Sequence, residues 1–443
     1  MTRRRRIAAS TFLLGVLLVP LAAAAGGAKA VLVSTCPGRP NAEVVQAVDG
    51  RYVYEAWIGC NRSIGFARSA DGGRSFGPSK SVRGSAHRPG VHTWDPAIAV
   101  APDGTVYVAY MAGPAAGAVR SSRPAQPVVA VSHDHGRSFD RASRLPVPAT
   151  HNPVGSWGDR PYIAAGRGGA VYVTWDYGPR RDEAKVVCPP TGSCYFEAGD
   201  FNAVIQRSSD GGKTWTKLAP ISPSFPLGGV YSAPIVAEPS GALDVLYWQH
   251  PTDPTTLRVS PGRQFFTRST DGGVTWSAPV AVGATTGTIA LKTWWIDGSL
   301  DVDPNGTIYA TWDTQRSGRD TGWLAWSRDG GEHWSSPVEV ASGRTEHLTE
   351  VAAAGPGSVY VGWQTIVSGK GYATFLRSFS PGRSWTSRAT RVSPAYGEPR
   401  VWPGDTFGLS AKNASAILSW GSAIKGRSGS EIYSARVAPT SST

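Results

Sequence analysis

Methionine occurs twice and cysteine four times in 443 residues, and charged side chains make up only 17% of the chain. After residue 30 no apolar run approaches the roughly 18 residues that a membrane-crossing helix needs, so the mature chain is expected to be soluble and not inserted. Long stretches of helical periodicity are missing as well, which excludes a helical bundle and an α/β sheet. No cysteine and histidine set has zinc-ligand spacing and no nucleic-acid module is recognisable, so neither a metal, a cofactor nor a nucleic-acid partner is expected. No Pro/Ser linker interrupts the chain between residues 31 and 438, and residues 31–443 read as one domain. What is abundant is glycine (53) and proline (34), the composition of an all-β fold with many turns.

The phrase Ser-x-Asp-x-Gly-x-(Ser/Thr)-(Trp/Phe) returns six times, beginning at Ser69, Ser132, Ser208, Ser269, Ser327 and Ser378. Asp71, Asp134, Asp210, Asp271 and Asp329 hold the third position in five copies, and Ser380 replaces the aspartate in the sixth. Each copy is expected to form a tight turn between two antiparallel strands: the carboxylate accepts backbone N–H bonds, the glycine supplies a left-handed torsion, and the aromatic fills the space beneath. A β-rich run ending in an aromatic precedes every copy, as in Val171–Trp175 or Ile308–Trp312, and a seventh, Ala416–Trp420, has no phrase after it. One unit is about four strands in roughly 50–75 residues, the size of a propeller blade. The last unit lacks an outer strand, and Val31–Ser34 resembles the blade-closing Thr390–Ser393. The N-terminal strand is therefore expected to complete the final blade of seven, with six blades as the alternative.

Residues 1–30 have the form of a signal peptide: Arg3 to Arg6, an apolar middle from Thr11 to Leu21, and Ala28-Lys29-Ala30 as a cleavage pattern. Export is expected, by the general or the twin-arginine route, and an Arg-over-Lys bias with much Ala and Gly suits a bacterial source. Removing the five basic residues of this segment lowers the formal charge from +12 to +7, a mild bias compatible with acidic glycans or cell-wall polymers. Four cysteines suit an oxidising compartment. Cys188 and Cys194 bracket a loop short enough for a local bridge, and Cys36 and Cys60 face one another if the ring closes as described.

These residues resemble the Asp-box, or BNR-repeat, propellers of the sialidase superfamily over nearly the whole mature chain. The resemblance implies the fold, whereas the turn phrase is shared by sialidases, other glycosidases and binding propellers. Sialidases similar to this fold use three arginines, a tyrosine assisted by glutamate, an aspartate acid/base and an early Arg-Ile-Pro. That tripeptide is missing here; Asp159-Arg160-Pro161 is the nearest, and Tyr396, Glu398 and Arg400 imitate part of the catalytic set.

Phrase-bearing turns join the third and fourth strands of a blade, so the longer connections emerge on the opposite face, where recognition is expected. Candidate ligand contacts there are Trp94, Trp157, Arg160, Tyr177 and His250, followed by Trp294, Trp295, Arg316 and Trp402. Candidate acids are Asp95, Asp159, Asp176, Asp297 and Asp313, with Glu346, Glu350 and Asp405 later in the chain. Tryptophan faces stack on sugars, and a pair of carboxyls can perform acid/base cleavage; a Trp-x-Asp repeat can equally staple neighbouring blades. The favoured reading is a monomeric, secreted propeller that recognises a glycan or cell-envelope ligand on this face. The alternatives are a glycoside hydrolase, exo-sialidase-like or otherwise, and a structural factor with an apolar plug in place of the pocket.

Overall fold

The computed structural model describes residues 29–438 except 37–39, 114–124, 149–156, 179–184, 188–194, 199–201, 224–227, 232, 252–261, 285–297, 317–318, 344–346, 382–383, 386–387, 402, 413–414 and 424–428. Seven antiparallel sheets follow one another, each built on a four-strand plan that runs in sequence order in all but the last, and the first strand of each lies against that of the next. Blade 1 is typical, with Ala42–Asp49, Tyr52–Gly59, Ser63–Ser69 and Lys80–Ser81. Blades 2, 3, 5 and 6 begin at His92, Trp157, Gly298 and His347; the first strand of blade 4 is split into Gly228–Tyr231 and Ile235–Ala237. The long connection in blade 3 carries its own hairpin, Lys185–Val187 with Tyr195–Ala198, and Arg167–Gly169 forms a short 3-10 turn.

Blade 7 takes three strands from the C-terminal region and its fourth from the N-terminus: Ala30, Val31 and Leu32 pair with Ala435, Ser434 and Tyr433. Seven blades therefore close into a ring, as the surplus refrain at Ala416–Trp420 required.

Alternation of side chains across each strand puts apolar residues on both faces of every sheet, and the result is seven separate cores, one at each blade interface. The seam between blades 7 and 1 has the fewest buried apolar residues: Val33, Val44, Trp57, Ala67 and Ile432. Polar and covalent links supplement it. Glu431 accepts from Ser34 Oγ at 2.6 Å and Asn41 Nδ2 at 3.0 Å, Ser419 Oγ donates to buried Glu55 at 2.6 Å, and Cys36 is joined to Cys60.

The five intact phrases form the expected turns. In the third, Asp210 accepts from the Thr214 hydroxyl at 2.6 Å and the Thr214 and Lys213 amides at 2.9 Å, which holds its carboxyl well below the usual range. The turns also stitch blades together. Phe139 packs edge-on against Phe66 of the preceding blade at 5.0 Å, as does Trp334 against Phe266 at 5.3 Å. Arg68 and Arg207 donate to the carbonyls of His135 and Gly272 in the next blade's turn. The sixth, aspartate-free copy closes instead by strand pairing, Phe379 with Trp385 and Ser380 with Ser384.

Candidate functional site

The first strands of blades 1, 2 and 3 share a defect. Each skips register near its start, between Ala42 and Val45, Trp94 and Ala97, and Asp159 and Tyr162. The first extra residue of each bulge adopts a left-handed torsion: Glu43 (φ 54°), Asp95 (φ 44°) and Arg160 (φ 48°). Such torsions are uncommon for residues with a Cβ, and a bulge re-aims the side chain it carries. Here three equivalent bulges bring charged groups together at the ends of the strands opposite the Asp-box turns.

Blade 7 supplies the fourth part. Arg160 Nη2 donates to Asp405 Oδ2 at 3.0 Å with both side chains buried, an ion pair that reaches from blade 3 to blade 7 across the starts of blades 1 and 2. Glu43 donates its amide to the Pro403 carbonyl at 3.3 Å. Gly404 (φ 112°) passes so close that a Cβ there would lie 2.1 Å from the Glu43 nitrogen. The Arg160 amide bonds Asp95 Oδ2 at 3.3 Å, and the Trp94 indole donates to Asp159 Oδ1 at 2.7 Å.

Glu43, Asp95 and Asp159 stand close enough along this row for each to act electrostatically on the next. Like charges crowded in a buried row oppose one another's ionisation, so the row retains protons where isolated acids would be ionised. Burial, reinforced by the Asp405 charge, lifts Glu43 to about 8. Burial and the Glu43 charge hold Asp95 well above the carboxylate range, and burial with Asp95 does the same for Asp159. Asp95, Asp159 and Trp94 keep part of their surface open, while Glu43, Arg160 and Asp405 are closed off. The arrangement can offer protonated carboxyls as donors beside an aromatic edge.

Sequence reasoning named Trp94, Asp95, Asp159, Arg160 and Asp405 and missed Glu43. Its signal was positional: Asn41-Ala42-Glu43 occupies the place of Thr93-Trp94-Asp95 but lacks the aromatic. Asp176 is buried opposite Asp159 in the strand ladder, with Tyr177 beside it packed on Trp175 at 5.2 Å. Asp313 lies elsewhere, accepting from the Thr349 amide at 2.9 Å and so tying blade 5 to blade 6. Glu350 is half-buried on the first strand of blade 6. The Tyr396 ring lies under Arg391 at 4.4 Å, and the Glu398 amide bonds the Ala423 carbonyl at 2.7 Å. For Trp157, His250 and Arg316 only strand positions are described; Trp294, Trp295, Asp297, Glu346, Trp402, Cys188 and Cys194 lie outside the described residues, as do residues 1–28 of the leader. Among the described residues, the grouping with metal-compatible spacing is Asp329, Glu332 and His333, exposed on an Asp-box turn whose aspartate already accepts the His333 amide.

Comparisons with known proteins agree with this architecture. No curated protein matches the sequence. Among solved structures, the polysaccharide lyase Uly1 is similar with a TM-score of 0.52 and 11% identity, over 89% of this chain and 90% of that one. The NanB sialidase from Streptococcus pneumoniae gives 0.51 and 11%, over 93% and 98%. An α-L-arabinofuranosidase from Fusarium graminearum gives 0.50 and 13%, over 92% and 97%. At such identities the likeness is one of fold. The model of the BNR repeat-like domain matches residues 61–352, about two thirds of the chain. With its five Asp-box turns on one rim of a seven-bladed ring, the chain belongs to the BNR repeat-like family of sialidase-like propellers.

Proposed function

We propose that this propeller binds a glycan over the middle of the ring, at the rim where the long connections emerge, with Asp95, Asp159 and Trp94 in contact with the sugar. The observation that carries the reading is the Arg160-centred row of carboxyls drawn from blades 7, 1, 2 and 3, whose accessible members are held protonated beside an indole. Protonated carboxyls donate to sugar hydroxyls, and tryptophan supplies an apolar edge for a ring face. The sialidase-like and glycosidase neighbours support a glycan-related role.

Hydrolysis is the second reading, favoured by the same raised acids, since a carboxyl protonated near neutrality can serve as a general acid. The missing Arg-Ile-Pro tripeptide argues for binding.

A glycan array followed by calorimetry, together with chromogenic glycosides, tests both readings. Binding predicts a saturable glycan ligand whose affinity falls about tenfold in Asp159→Asn, with no turnover. Turnover by the native protein that disappears in Asp159→Asn would replace binding with hydrolysis, and a folded protein that neither binds nor cleaves any glycan would remove both. We further propose that it acts after export. The leader-like residues and the Cys36–Cys60 bridge support this, and no helix among the described residues is long and apolar enough to cross a membrane. Sequencing the amino terminus of the exported protein checks it, with a start between residues 25 and 31 expected.

A further inference from the structure

The opposite rim carries a charge pattern that the axial site does not use. Between the glycine and the Ser/Thr of each Asp-box turn, a position that His333 takes in blade 5, lies one residue at the tip, and in blades 1 to 5 it is Arg74, Arg137, Lys213, Val274 and Glu332, all exposed. Three adjacent blades thus present a cation at the same structural position, the fourth an apolar side chain that is 62% exposed, and the fifth an acid. Exposed Arg51 stands on the first of these blades, and exposed Arg167 and Lys217 on the third.

Several acids of this sector already accept hydrogen bonds from their own blade, although Asp103 and Asp140 are exposed. Asp134 and Asp210 accept hydrogen bonds from their own turns, as does Asp71; Asp103 accepts the Thr105 amide at 2.9 Å, and Asp140 contacts His133 at 2.5 Å. Arg137, Arg167, Lys213 and Lys217 form no ion pair among the described residues. Among the described residues, the Arg74 guanidinium donates to the Asp71 carbonyl of its own turn. A row of outward cations over internally engaged carboxylates attracts a repeating anion and releases its counterions.

We infer that the Asp-box rim of blades 1 to 3 is a second binding surface, for a linear anionic glycan whose charges, carboxylate or phosphate, recur along the polymer. The acidic turn of blade 5 limits the track on one side. The glycan runs across consecutive tips and leaves the axial site open.

Binding of the full protein to polygalacturonate and to a glycerol phosphate polymer tests this, with neutral dextran and single-stranded DNA as controls. Affinity for at least one anionic glycan should fall about tenfold or more between about 50 and about 300 mM NaCl. The combined variant Arg74→Ser, Arg137→Ser, Lys213→Ser should lose about tenfold at low salt with an unchanged melting temperature and a flatter salt dependence. Val274→Lys lengthens the row to four blades and should tighten binding severalfold. The relative response to the two polymers identifies the anion. No binding at low salt, an unchanged triple variant, a Val274→Lys protein no tighter than native, or equal binding to DNA overturns the assignment.

Discussion

Glu43 owes its place to one backbone torsion. A left-handed residue in a bulge places its carboxyl in a buried site beside the Asp405 charge, where it keeps a proton that it would lose in water. Ionising it in the folded state opposes folding: its ordinary value is 4.5 and its folded value about 8, so the penalty is absent at low pH and grows as pH rises through that interval. Glu43→Gln removes the penalty. The melting temperature of this variant relative to native should therefore rise between pH 5 and pH 8.5, measured by differential scanning fluorimetry, and a falling difference would contradict a buried, proton-retaining Glu43. The neighbouring acids were legible in sequence because Trp94-Asp95 and Asp159-Arg160 break a β pattern with aromatic and charged residues just before an inner strand. Asn41-Ala42-Glu43 breaks it with nothing conspicuous, and only the register slip, a property of two paired strands, gives Glu43 its role. Asp313 shows the opposite failure: the sequence places it on the loop-bearing face, yet its carboxylate turns sideways to the next blade.

The Asp-box turn is the element on which the ring is assembled, and its glycine answers to the preceding blade as much as to its own torsion. Gly331 has φ 92°, and a Cβ there would stand 1.9 Å from a Phe266 ring carbon. Gly306, at φ 79° in the hairpin of blade 5, has nothing within 4 Å of that position. Gly306→Ala should cost about 1 kcal/mol for the torsion alone, whereas Gly331→Ala adds the displacement of a packed aromatic and should cost about 3 kcal/mol in urea unfolding. Equal costs would mean that the turn is not wedged against its neighbour. Turns and the β refrains were readable because they are local, set by residues a few positions apart. What the turn phrase touches was not readable, since Phe66 and Phe266 are distant in sequence from the turns that cover them.

At the scale of the molecule, the ring has one seam made by joining its ends, and that seam has the smallest apolar core. The Cys36–Cys60 bridge links positions 24 apart and should contribute about 3 kcal/mol, so Cys36→Ser with Cys60→Ser should lower the urea midpoint by that equivalent, and an unchanged midpoint would leave the polar network as sufficient closure. Buried acids set the pH response of the whole. Burial raises Glu43 and Asp244 to about 8, Glu55 to about 7 and Asp301 to about 6, and each costs stability as pH climbs from its ordinary range through these values. The Asp-box carboxylates work in the other sense, contributing stability above about 3.8 that is lost on acidification, as for Asp271, whose bonds from Thr275 depress it. Stability should peak under mildly acidic conditions, and melting temperature should decline from pH 5 to pH 8.5; a rise over that range would refute the balance. The closing strand was foreseen from an incomplete last unit, because a missing partner is itself a pattern.

The Arg160–Asp405 pair also orders events in time. Blades 1 to 3 emerge from the ribosome with three crowded acids and the guanidinium among them, and the fourth acid, Asp405, arrives only when nearly the whole chain has been made. The axial cluster is consequently a late product of biosynthesis, and any chain cut short before blade 7 would hold six blades and lack the acid that completes it.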